Sequence, residues 1–83
     1  MTAREKFKEL GYELVSEEII DGVLHGLTYA QEYCFISFSY GEKTGRYWIA
    51  YYDDLDQDEE PVTLDMEETK AVIMQLNELG WLE

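Results

Sequence analysis

Between Tyr33 and Tyr52 lie two runs of strand-forming residues separated by a glycine-bounded turn, and this pattern constrains the fold more than any other part of the chain. Tyr33-Cys34-Phe35-Ile36-Ser37-Phe38-Ser39-Tyr40 is rich in aromatic and β-branched residues, as is Arg46-Tyr47-Trp48-Ile49-Ala50-Tyr51-Tyr52. Such side chains fit a pleated, half-buried surface. The intervening Gly41-Glu42-Lys43-Thr44-Gly45 predicts a hairpin with a five-residue loop. Strand side chains alternate between faces. Cys34, Ile36, Phe38 and Tyr40 therefore share one face, which is the better candidate for the core.

The hairpin is flanked by two helical patterns with matching punctuation. Thr2 and Glu5 have capping-box spacing, and Ala3, Phe7 and Leu10 fall on one helical face. Gly11 follows, where a left-handed residue ends a helix without a Cβ clash, and Tyr12 can fold back on Phe7. At the other end, Thr63 or Asp65 can cap a helix, with Asp65 and Glu68 again in capping-box register. Thr69, Val72, Ile73, Leu76 and Leu79 form its expected apolar stripe, Gly80 its stop, and Trp81 can return onto Leu76.

The stretch from Tyr12 to Ala30 reads two ways. Tyr12 to Ser16 has strand character, and Gly22 to Tyr29 can be a second strand with Val23, His25, Leu27 and Tyr29 on one face. Ser16, Ile19, Ile20, Val23 and Leu24 also fit a short helix, but Gly22 and Gly26 weaken it, so strand is preferred. The expectation is one α+β domain over residues 1–83. A short N-terminal helix leads into a three- to four-stranded antiparallel sheet, and a C-terminal helix packs on one face.

Charge narrows the function classes. With 19 acidic and 6 basic side chains the net charge is −13. This disfavours direct contact with nucleic acid or anionic membranes, both of which call for Lys/Arg patches. The single cysteine, Cys34, allows no internal disulfide and points to a reducing cytosol. The first residues carry no apolar run and no stretch of the chain approaches about 18 apolar residues, so neither a signal peptide nor a membrane span is expected.

The acids concentrate in one place. Asp53, Asp54, Asp56, Asp58, Glu59, Glu60, Asp65, Glu67 and Glu68 follow one another with no Lys or Arg among them, and residues 53–62 read as an acidic loop. The plain reading is a solvated loop leading to a helix N-terminus that favours negative charge. The functional reading is a carboxylate ridge that presents to a basic protein the field of a nucleic-acid backbone. Asp54, Asp56 and Asp58 begin like an EF-hand loop, but Glu59 stands where that loop needs Gly and Asp65 where it needs Glu, so no metal site is expected. His25 and Cys34 are too few for a zinc site, and as a nucleophilic pair they have no supporting pattern. No phosphate-binding glycine loop or divided carboxylate pair is present, so neither a cofactor nor a catalytic activity is expected.

Thr2-Ala3-Arg4-Glu5-Lys6-Phe7-Lys8-Glu9-Leu10-Gly11-Tyr12, together with Val62-Thr63-Leu64-Asp65 and Asn77-Glu78-Leu79-Gly80-Trp81, resembles the ends of small uncharacterised acidic proteins from phages and prophages of Gram-positive bacteria. That resemblance implies a mobile element in a bacterial cytosol. Small acidic α+β proteins of that setting include inhibitors of restriction and CRISPR nucleases, some of them DNA mimics. The expected function is therefore non-enzymatic binding of the acidic face to a basic, nucleic-acid-handling protein. The alternative expectation is a homodimer or larger self-association through a sheet edge or an exposed Tyr/Trp strip.

Overall fold

The fold was analysed in a computed structural model, which describes residues 1–32, 34–53 and 64–82. Helix α1 spans Ala3–Glu9, strands follow at β1 (Glu13–Ile20), β2 (Val23–Gln31), β3 (Cys34–Gly41) and β4 (Arg46–Asp53), and α2 spans Met66–Leu79. The sheet is an antiparallel meander in the order β1-β2-β3-β4. The α+β architecture expected from the pattern is therefore present, with four strands. The ambiguous stretch forms β1 and β2, in keeping with two glycines that would cost a helix about 1 kcal/mol each.

Both helices begin and end as their sequences require. Thr2 accepts the Glu5 amide while the Glu5 carboxylate accepts the Thr2 amide, and Asp65 and Glu68 do the same for α2. At the far ends, Tyr12 N–H donates to Phe7 O at 2.9 Å and Trp81 N–H to Leu76 O at 3.0 Å. Gly11 and Gly80 adopt positive φ (94° and 74°) to allow these closures.

The helices lie against each other with opposite polarity on one face of the sheet. Ala3 N–H donates to the Glu78 carboxylate at one end, and the Tyr12 hydroxyl donates to Glu68 at the other. Beneath them the core is built on Phe7, which stacks on Tyr29 (centroids 4.0 Å) and meets Tyr12 and Phe38 edge-on. Leu27, Ile36, Ala71 and Val72 complete it. Ile36 and Phe38 are buried as their alternation predicts.

The α2 stripe is rotated from the expected one. Glu68, Ala71, Val72 and Gln75 are buried, whereas Ile73 is exposed. The reason is polar. The Tyr29 hydroxyl donates to Gln75 Oε1 at 2.6 Å and the Tyr12 hydroxyl to Glu68, so one tyrosine of β2 and one of the α1–β1 connection satisfy two polar groups of α2. A satisfied polar pair can displace an apolar residue from an interface, because only unpaired buried polar groups are costly.

Candidate functional site

Of the nine acids singled out in the sequence, Asp54, Asp56, Asp58, Glu59 and Glu60 lie outside the described residues. Asp53 is the last residue of β4, opposite Cys34. The other three have structural partners. Asp65 accepts the Glu68 amide at 2.8 Å as the cap of α2. Glu67 takes Lys6 at 2.7 Å and Lys70 at 3.5 Å. These lysines hold the Glu67 carboxyl below its usual range, chiefly through the hydrogen bond from Lys6, and Glu67 in turn raises Lys6.

Glu68 requires a correction. It was expected to extend the exposed ridge, but its side chain is buried. One oxygen accepts the Asp65 amide and the other the Tyr12 hydroxyl, so its charge is directed inward. Burial first, and then the Glu68 carboxylate, push the Tyr12 phenol well above its ordinary value. Tyr12 is therefore a fixed donor.

A second acidic region, spread along β1, was not singled out in the sequence. Glu13, Glu17 and Glu18 are exposed on this outer strand, Glu9 ends the preceding helix, and Asp21 occupies the turn that follows. Among the described residues none of the five forms an ion pair. The signal was available, since from Glu9 to Asp21 there is no Lys or Arg. It is diluted by interspersed Leu14, Val15, Ile19 and Ile20, which make the stretch read as a strand instead of a charge run.

The geometry limits what this strand can imitate. Three carboxylates between positions 13 and 18 span about 17 Å, or about one per 6 Å. A single strand of B-DNA presents a phosphate about every 3.4 Å. β1 by itself is therefore roughly half as dense as one nucleic-acid strand, and serves better as part of an electrostatic surface than as a replica of a duplex.

The residues considered for chemistry do not converge. His25 is level with the end of β3, packed edge-on against Tyr40 with Nδ1 3.6 Å from Glu42, while Cys34 lies opposite Gln31. Six residues of strand, about 20 Å, separate their levels in the sheet. Among the described residues no group of His, Cys, Asp and Glu is arranged to hold a metal ion. No described helix is long and apolar enough to cross a membrane.

The opposite outer strand, β4, differs in character. Tyr47, Trp48, Ile49 and Tyr52 are between 45% and 52% exposed, and they point to both faces. Phe35 stacks on Tyr52 on the face away from the helices (centroids 5.1 Å), while Tyr47 packs on Trp81 on the helix side (4.6 Å). Compared with protein-family models, curated proteins and solved structures, the chain matches none.

Proposed function

We propose that this protein is a non-enzymatic binder whose acidic surface engages the basic face of another protein, of the kind that handles nucleic acid, in a bacterial cytosol. The observation that carries the reading is the row of exposed carboxylates along β1, free of ion pairs among the described residues, in a chain of net charge −13. A field of that sign draws in a cationic partner and accelerates encounter. The acidic stretch Asp53, Asp54, Asp56, Asp58, Glu59 and Glu60 begins at the last residue of the other outer strand and adds negative charge to the same molecule. A phosphate-binding surface is the natural class of partner, because its cationic side chains are arranged to meet repeated negative charge.

The test is competition. The chain is titrated into complexes of fluorescent duplex DNA with basic DNA-binding proteins, and in parallel onto immobilised polyarginine, at low and high salt. Displacement of the duplex that fades as salt rises is expected. It should weaken when Glu13, Glu17, Glu18 and Asp21 are replaced by Gln and Asn, and separately when Asp56, Asp58, Glu59 and Glu60 are. Binding to polyarginine without displacement of any duplex would restrict the reading to cationic partners unrelated to nucleic acid. Failure on polyarginine would remove it altogether.

A further inference from the structure

We infer that β4 is a self-association edge, along which a second copy of this chain adds its own β4 to form one continuous antiparallel sheet. The inference is independent of the acidic-surface reading and rests on the other side of the molecule.

Sheet edges in soluble proteins are normally protected by charges, bulges, prolines or a covering element, since their free N–H and C=O groups accept any further strand. Among the described residues, β4 has none of these between its ends. Tyr47-Trp48-Ile49-Ala50-Tyr51-Tyr52 contains no charge and no proline. Its register with β3 runs unbroken from Arg46 opposite Gly41 to Asp53 opposite Cys34, so its pairing is regular for eight residues, about 27 Å. Among the described residues no strand occupies its outer side. Its exposed aromatic and aliphatic side chains supply the cross-strand pairs that stabilise added strands.

Charge identifies the occupant and the direction. β4 begins at Arg46, just after Lys43, and ends at Asp53. An antiparallel copy sets the basic end of one strand beside the acidic end of the other, whereas a parallel copy sets like charges together. Pairing through β4 also leaves the two acidic β1 strands at the outer rims of an eight-stranded sheet. They are then about 34 Å apart, beyond the screening length of about 8 Å at physiological salt. Pairing through β1 would instead bring Glu13, Glu17 and Glu18 of both copies into contact.

Symmetry then restricts the register. Outward-facing backbone groups recur at every second residue, so a two-fold antiparallel pair must be centred on a residue. The centre nearest the middle of β4 is Ile49 or Ala50, which then faces its own equivalent in the second copy.

Sedimentation of the full chain over a range of protein concentrations, at low and high salt, tests this. The expected result is a dimer that dissociates on dilution and is as strong or stronger at high salt, because screening relieves the net repulsion. Ile49→Lys on the helix side and Tyr52→Lys on the other face should each weaken association by about tenfold or more, with the far-ultraviolet circular dichroism of the fold retained. Gln replacements at Glu13, Glu17 and Glu18 should leave the dimer intact. A monomer at every concentration, a dimer dissolved by salt, or a dimer indifferent to both lysine variants would each overturn the inference. None of these outcomes depends on whether the acidic surface binds polyarginine.

Discussion

β1 and β4 are both outer strands of eight residues, but among the described residues only β1 carries charges and register breaks along its length. β1 carries Glu13, Glu17 and Glu18, and its pairing with β2 shifts register twice, first where Val15 has no partner and again between Glu18 and Ile19. Bulges and charges on an edge are means of refusing another strand. β4 has an unbroken register and an uncharged interior. Two edges with the same backbone potential thus differ in charge and regularity, one carrying carboxylates and two register shifts, the other an uncharged and evenly paired run. A net charge averaged over the molecule hides this difference.

Four substitutions can break or sharpen the contrast. The largest effect is expected from Phe38→Ala, since Phe38 is fully buried in β3, opposite Leu27 of β2 and Ile49 of β4. A loss of about 3–5 kcal/mol is typical of such truncations, and urea denaturation should show a domain near the limit of folding, with both edges compromised together. Next comes Tyr12→Phe, at the entry to β1. It strips the buried Glu68 carboxylate of a donor, and a cost of about 1–3 kcal/mol is expected in the same assay. Association through β4 should survive wherever the variant remains folded.

Tyr29→Phe should cost about 1 kcal/mol through loss of the bond to Gln75, and it carries a pH signature. Burial, reinforced by the Glu78 charge, pushes the Tyr29 phenol from 10.0 up to about 12. The folded state therefore keeps a proton that the unfolded chain releases. The resulting stabilisation is whole below pH 10, declines as pH rises from there, and is gone above about pH 12. The Phe variant should show a flatter fall in denaturation midpoint across that interval. Tyr12 acts in the same direction, so some alkaline sensitivity will remain. The smallest effect is expected from Val15→Lys on the exposed side of β1, within about 0.5 kcal/mol of the parent. Sedimentation should also be unchanged. Ile49→Lys places the same charge on the other outer strand, so the two lysines together compare the two edges.

Much of the fold was legible in the chain because its signals are local. Both capping boxes, both glycine stops, the Ile36/Phe38 face and the final hairpin are decided by residues within a few positions of one another. The rotation of α2 was not legible. It depends on Tyr12 and Tyr29 reaching Glu68 and Gln75, which are 56 and 46 positions away, and a helical stripe computed from hydrophobicity cannot register a buried Gln that is satisfied across the layer. The acidic surface was partly legible. Contiguous carboxylates drew attention to residues 53–68, but a strand spaces its charges with apolar residues, so Glu13, Glu17 and Glu18 became a group only once β1 was seen to be an outer strand. Glu68 was misassigned for the same reason in reverse, since a charge inside an acidic run looks exposed until its partner is known.

The meander and the helical pair above it impose different demands on the order of folding. Every strand pairs with its neighbour along the chain, so the sheet can grow hairpin by hairpin with short loops to close. The helical layer joins Ala3 to Glu78, sequence positions 75 apart, and can form only when nearly the whole chain has been gathered. A nascent or partly unfolded chain would thus display its apolar sheet face before anything covers it, leaving docking of the helices as the step that separates a productive molecule from one prone to clumping.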